Sequence, residues 1–416
     1  MAKKYEIYVY AHWIGMNDPK LMGLLEAQSI KGRMSFSFEY DKDWLLSNDQ
    51  LLLDPDISWF SGKQFPNTKG NFGLFMDSMP DTWGRTLMKR KAAISSKQND
   101  VKSPILNEVD FLLGVYDESR MGALRFKLDK EGAFLDDSRQ FLIPPWSSVR
   151  ELQHSAKILD SDIDNKNVID YLRLIMAPGS SLGGARPKAN ILDKNKHPWI
   201  AKFPSKNDEI DKAQWEYLAY KLALNSGIEM SESKCENIMG PFHTFFTKRF
   251  DRLHGERIHF ASAMSMTGHS EDGLRDDTAS YLELAEFIQF AGANVENDLS
   301  QLWRRIIFSI AISNTDDHLR NHGFILEKKG WRLSPAYDIN PSIDKSGLAL
   351  NIDMDSNALE FNLARSVGDY FLLNNVEMDK IIQEVSAVVS KWEIEAARIG
   401  ISRKEIQLMN PAFRWE

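Results

Sequence analysis

Residues 299–323 constrain this chain more than any other stretch. Leu299, Leu302, Trp303, Ile306, Ile307, Ile310 and Ala311 recur at helical i, i+3, i+4 intervals, and this apolar face stops where Asn314-Thr315-Asp316-Asp317-His318-Leu319-Arg320-Asn321-His322-Gly323 begins. The spacing predicts a helix ending in a loop of carboxylate, amide and imidazole side chains. Residues 324–327 and 331–333, separated by Lys328-Lys329-Gly330, read as a hairpin with a glycine in its turn. A two-stranded excursion that ends at Ser334-Pro335-Ala336-Tyr337-Asp338 returns the chain near its departure, so Asp316, Asn321 and Asp338 are expected to converge on one cleft. Phosphoryl transfer uses such a set: one carboxylate orients or deprotonates a hydroxyl, while an amide and a second carboxylate supply hard oxygen ligands for Mg2+. Two other readings stay open on this stretch alone. Asp, Asn and His are ordinary turn and capping residues. His318 and His322 at i, i+4 suggest zinc, against which stand the Gly323 break and the missing Glu of the His-Glu-x-x-His pattern.

A chain of 416 residues, 43% of them hydrophobic, can bury a large core and has the length of two to three domains. Its net charge of -8 argues against a general electrostatic nucleic-acid binder, so any DNA contact would be local or supplied by a partner. The lone cysteine, Cys235, excludes an internal disulfide and a Cys-rich zinc site and fits a reducing compartment. The first residues lack a secretory apolar core, and the apolar run 306–312 is far short of the roughly 20 residues a spanning helix needs. The expectation is a cytoplasmic protein with no membrane partner.

Residues 5–10 and 34–40 alternate like half-buried strands, so the beginning is β-rich. A helix is expected within 72–90, capped by Asp77 or Ser78, with Pro80 at an early helical position and Lys89-Arg90-Lys91 at its end. Residues 110–127 read as a short helix, a turn and a strand, and 129–147, with Pro144-Pro145, as a linker. Beyond 340, residues 375–399 form a long amphipathic pattern stopped at Gly400, whose apolar stripe belongs to the core.

A second informative stretch is Gly179-Ser180-Ser181-Leu182-Gly183-Gly184-Ala185-Arg186-Pro187-Lys188. Adjacent glycines flanked by hydroxyls let backbone N–H groups approach a phosphate, although Ala185-Arg186 stands where a Walker A loop needs Lys and Ser or Thr. A glycine-rich hairpin turn is the alternative. Residues 199–204 then form a strand that carries Lys202, and a helix over 211–226, ending at Gly227, holds Glu216 in its first turns. Residues 245–252 read as a strand running into a charged segment suited to an adenine-reading hinge. Gly-rich loop, strand lysine, helical glutamate, acidic loop, hairpin and terminal Asp together follow the protein-kinase order.

These residues resemble the HipA family of bacterial toxin serine/threonine kinases over nearly the whole length. Residues 77–85 and 122–126 resemble the family's N-terminal domain, and 171–395 its kinase core. The most specific patterns are Ser181-x-Gly-Gly-Ala-Arg-Pro-Lys188, Arg249-Phe-Asp-Arg252 and Thr315-Asp-x-His-x-x-Asn321. The resemblance implies an α+β, protein-kinase-like fold of two lobes, with an N-terminal β-rich domain over 1–148, a small lobe over 149–255 and a helical large lobe over 256–416. It implies that Asp316 is catalytic, that Asn321 and Asp338 hold Mg2+, and that Lys202 contacts phosphate and pairs with Glu216. Gly183, Gly184, Ala185, Arg186, Pro187, Lys188, Lys248, Arg249, Phe250, His318 and Arg320 would line the ATP site, and Ser181 would be the inhibitory autophosphorylation serine. Arg320 stands where many relatives carry Lys. The implied partners are a HipB-like helix-turn-helix antitoxin, operator DNA mainly through that antitoxin, and a protein substrate such as an aminoacyl-tRNA synthetase. The rival readings are a kinase of a lipid or small molecule, and a catalytically idle co-repressor.

Overall fold

The computed structural model describes residues 4–30, 33–47, 50–67, 70–135, 143–161, 170–172, 175, 184, 186–270 and 279–415. Two compact units run across the three consecutive blocks read from the sequence: one holds 1–207 with 248–261, the other 208–247 with 262–416.

In the first unit an antiparallel sheet has the order Arg33–Tyr40, Lys20–Ile30, Lys4–Ala11, Leu124–Lys127. Its register sets Ile7 opposite Leu25, Leu25 opposite Phe38 and Val9 opposite Phe126, all of them fully buried. One face of every strand therefore enters a single apolar layer, which a one-residue slip would turn outward. The strand Lys20–Ile30 was not foreseen. Gly23 weakens its strand signal, yet a Cβ there would lie 2.3 Å from the Glu39 carbonyl, so the close pairing requires glycine.

The helix expected within 72–90 is split. A short helix, Gly73–Met76, precedes Pro80, and the main helix Thr82–Gln98 is capped by Asp81, whose Oδ1 accepts from the Gly84 N–H at 2.7 Å. Asp81 displaces Asp77 and Ser78 as the cap because its backbone is extended immediately after the proline, as an N-cap requires. Lys89-Arg90-Lys91 falls mid-helix, with Lys89 Nζ 5.8 Å from the Phe111 ring centroid and Arg90 donating to the Leu159 carbonyl, so packing rather than the helix terminus uses these charges. Further along, the strands Lys188–Leu192 and Pro198–Lys202 form a hairpin that sets Lys188 opposite Lys202.

The second unit is mainly helical. Lys212–Asn225, capped by Asp211, ends before Gly227 at φ +76, and its side chains Trp215, Leu218 and Leu222 are buried. Every apolar residue of the 299–311 pattern is buried on the helix Val295–Ala311. The hairpin follows as Gly323–Glu327 and Gly330–Leu333, with Gly330 at φ +137. The single helix expected over 375–399 is two, Asn375–Val389 and Trp392–Arg398, and Gly400 at φ +89 closes the second. The break at Ser390-Lys391 turns Trp392 so that its ring lies flat on Phe413, with centroids 3.9 Å apart and planes at 3°.

Candidate functional site

The acidic loop begins where the helix Val295–Ala311 runs out of apolar positions. Ser313 takes a left-handed backbone, φ +50, and redirects the chain. The two adjacent carboxylates then part. The Asp316 side chain is 76% exposed, with Lys345 Nζ 3.8 Å from its Oδ1. Asp317 points inward and is buried, where it accepts from the Tyr281 hydroxyl and from Ser309 Oγ at 3.2 Å and lies 2.9 Å from His322 Nε2. Burial opposes its charged form, but His322 and these hydrogen bonds hold its carboxyl below the usual carboxylate range. Asp317 anchors the loop while Asp316 faces outward.

Asn321 reaches back across the loop, donating from Nδ2 to the Asp316 carbonyl at 2.9 Å. Its Oδ1, the atom a hard cation takes, lies outside that bond. Asp338 is held against the same loop from both sides. Tyr337 Oη donates to the Arg320 carbonyl at 2.8 Å, and the Asn340 N–H donates to Asn314 Oδ1 at 3.2 Å. Asp338 itself takes φ +57, a left-handed position uncommon for a residue other than glycine. The hairpin excursion thus returns the chain, at Tyr337 and Asn340, to the loop it left. Arg305, Ser309, Asp317, Asn321, His322 and Tyr337, with Ala336 and Ile339, line a small cavity beneath the loop. Among the described residues no three His, Cys, Asp or Glu side chains cluster as a metal site. An amide oxygen with a carboxylate is nevertheless the donor chemistry that suits Mg2+. His318 is half-buried in the same loop, and His322 is spent on Asp317.

The remaining candidates divide between the units. Glu216 is buried on Lys212–Asn225 in the second, and Lys202 ends the strand Pro198–Lys202 in the first. Ser181, Gly183 and Ala185 lie outside the described residues. Gly184 has φ +95, and its carbonyl accepts from Lys188 Nζ at 3.3 Å. Lys188 is buried, with Asp81 Oδ2 at 2.6 Å from its Nζ, and its carbonyl accepts from Trp83 Nε1 at 3.2 Å. The Asp81-Thr-Trp83 segment thus holds the strand leaving the Gly-rich loop by both charge and backbone. Asp81 also offsets the repulsion expected from two lysines placed opposite each other in a hairpin. Arg186 donates to the Phe203 carbonyl at 3.2 Å, and the Pro187 carbonyl accepts from the Phe203 N–H at 2.8 Å.

Lys248 and Phe250 are half-buried, and the Arg249 guanidinium between them is wholly enclosed. It donates to both Asp251 oxygens at 2.8 and 2.7 Å, to the Ser119 and Arg120 carbonyls at 2.7 and 3.0 Å, and to Asn190 Oδ1 at 3.0 Å. Asp251 further accepts from the Gly122 N–H at 2.8 Å and from Arg252 Nη1 at 2.6 Å. Burial would raise the Asp251 pKa, but the two arginines outweigh it and push it down to about 2. The Arg249-Phe-Asp-Arg252 motif is therefore the partner of the 118–122 turn, and the Arg249 guanidinium is consumed there. Asp317, Asp251 and Asp81 are buried carboxylates to which pattern reading assigned no role of their own. Their one sequence signal is a carboxylate doubled or repeated beside a residue already assigned.

Among the described residues no helix is long and apolar enough to cross a membrane. The family model described as the HipA-like C-terminal domain matches residues 180–392, more than half of the 416 residues. A Haemophilus influenzae protein named "Putative kinase" is 28% identical over 182 residues, 38% of this chain and 52% of the relative, so the match spans about half of that protein's length. "Putative kinase Y4dM" of Sinorhizobium fredii is 23% identical over 320 residues, 68% of this chain and 76% of the relative. Among solved structures, HipA of Shewanella oneidensis MR-1, determined with HipB and its operator DNA, superposes with a TM-score of 0.66 at 17% identity, covering 98% of this chain and 94% of that one. At that identity the likeness establishes the fold, and it is the α+β, protein-kinase-like one.

Proposed function

The chain belongs to the HipA-like family, and from that premise we propose that it is an ATP- and Mg2+-dependent serine/threonine-protein kinase acting as a toxin under a HipB-like antitoxin. The observation that carries the reading is the parting of the Asp316-Asp317 doublet. A carboxylate that orients a hydroxyl must be open to solvent, and Asp316 is exposed, while its backbone is tied down by Asn321 and its neighbour Asp317 is locked inside. Asp316 would accept a hydrogen bond from the attacking hydroxyl and draw off its proton. Asn321 Oδ1 and the Asp338 carboxylate would hold Mg2+, which when bound neutralises charge on the transferring phosphate oxygens. Lys202 and the Gly-rich segment would serve the phosphates, with Glu216 as a structural acid. The backbone of 248–250 would read the adenine, with His318 and Arg320 completing the nucleotide's surroundings.

The Shewanella relative's complex with HipB and operator DNA supports a HipB-like antitoxin partner. The net charge of -8 fits a chain whose DNA contact runs through that partner. A translation factor such as an aminoacyl-tRNA synthetase is the proposed acceptor. The test is incubation of the purified protein with γ-labelled ATP, Mg2+ and a bacterial lysate. Label in acid-stable phosphoserine or phosphothreonine of one protein supports the reading. Label confined to lipid or small molecules, or no transfer, overturns it.

A further inference from the structure

Ser313 is the strained position that launches the acidic loop, and residues a hundred positions later hold it. Serine at φ +50 is strained relative to an ordinary backbone and persists only where its surroundings enforce it. The enforcement comes from the segment after the helix Arg403–Met409. Ser313 Oγ donates to the Ala412 carbonyl at 2.6 Å and accepts from the Arg414 guanidinium, so its hydroxyl is used in both directions. The Arg414 N–H donates to the Ala311 carbonyl at 2.7 Å, satisfying one of the acceptors a helix leaves open at its C-terminus. Between them Phe413 is buried and stacked flat on Trp392. Trp215, next to Glu216 on Lys212–Asn225, lies 6.3 Å from the Phe413 ring and donates to Glu405 Oε2 at 2.9 Å. One short segment thus grips the start of the acidic loop and packs on the helix that carries Glu216.

We propose that Phe413 and Arg414 are positioning residues for phosphoryl transfer: they hold Ser313 in its left-handed conformation and so fix the direction in which Asp316 leaves the loop. The inference rests on the kinase reading for its kinetic consequence, though not for its structural one. Neither residue contacts Asp316, Asn321 or Asp338 through any described hydrogen bond, so the loss should fall on turnover rather than on nucleotide binding.

The experiment compares full-length wild type, Arg414→Ala, Arg414→Lys, Phe413→Ala, Phe413→Tyr and the exposed-surface control Arg403→Ala, in phosphoryl transfer and in amide hydrogen exchange. Arg414→Ala and Phe413→Ala are expected to lower kcat about 10- to 100-fold, the scale of a misplaced reacting group. KM for ATP should stay within about twofold. Arg414→Lys, which keeps a donor for Ser313 Oγ, and Phe413→Tyr, which keeps the stacked ring, should recover most of the rate. Amides of 313–316 should exchange at least about tenfold faster in Arg414→Ala, with those of 302–307 unchanged. If Phe413→Ala fails to fold, the half-buried Arg414 variants carry the test alone. Wild-type kcat with unchanged loop exchange overturns the proposal, as does faster exchange throughout the second unit with kcat and KM moving together. If the wild type itself transfers no phosphate, the kinase reading falls and loop exchange alone decides whether the strap is real.

Discussion

Replacing Arg249 with methionine separates two roles that the Arg249-Phe-Asp-Arg252 motif could have. Methionine keeps the length and apolar volume but deletes all the donors, so the Ser119 carbonyl and Asn190 Oδ1 lose their described partner and Asp251 keeps only Arg252 and the Gly122 N–H. Breaking one side of a fully buried ion pair costs about 3–5 kcal/mol. At a urea slope of about 2–3 kcal/mol per M, that lowers the unfolding midpoint of the first unit by about 1–2.5 M. The stack of Trp13 on His259, centroids 5.4 Å apart in the same unit, gives a fluorescence signal for it. Titration of the native protein with Mg-ATP at low temperature should show affinity within about threefold of wild type, because the guanidinium is enclosed. An unchanged midpoint with a tenfold loss of ATP affinity would refute this reasoning and make the side chain a nucleotide ligand.

The same cluster predicts an acid limit. Because the Asp251 carboxyl is pushed down to about 2 in the fold against about 3.9 unfolded, its stabilisation is fully present above about pH 4 and is lost as pH falls towards 2. Unfolding midpoints measured from pH 6 to pH 2 should fall less steeply in Asp251→Asn than in wild type, and parallel curves would dismiss the pair as the cause. Asp338→Ala is expected to weaken Mg2+ and ATP binding together, and unchanged Mg-ATP affinity by calorimetry would remove it from the metal site. Ser181 should carry phosphate in wild-type protein made in cells and none in Asp316→Ala. Intact-mass and peptide analysis reads this directly, and an unmodified Ser181 in active protein after long exposure to ATP counts against self-inhibition.

How much of this was visible beforehand depends on whether a feature is local. The helix ending at Ala311 and the Gly330 hairpin were legible because a 3.6-residue apolar period and a glycine turn are written into consecutive residues. The strand Lys20–Ile30 was not, since its Gly23 is explained only by the neighbouring strand. The break at Ser390-Lys391 contains neither Gly nor Pro and is set by the Trp392–Phe413 stack, which no local pattern reports. Asp316 and Asp317 are chemically identical in sequence. Only Tyr281, Ser309 and His322 decide which of the two is consumed inside. Arg249 likewise reads only as part of a charged, adenine-reading hinge, and its enclosure depends on the carbonyls of the distant 118–122 turn.

The central claim, that Asp316 is the outward-facing carboxylate that orients the acceptor hydroxyl, is tested most directly by single-turnover phosphoryl transfer in wild type and Asp316→Ala, with Mg-ATP affinity measured on the same preparations. The account predicts a rate loss of about 10² to 10⁴ with Mg-ATP affinity and unfolding midpoint close to wild type. A variant that still transfers phosphate at near wild-type rate would contradict it.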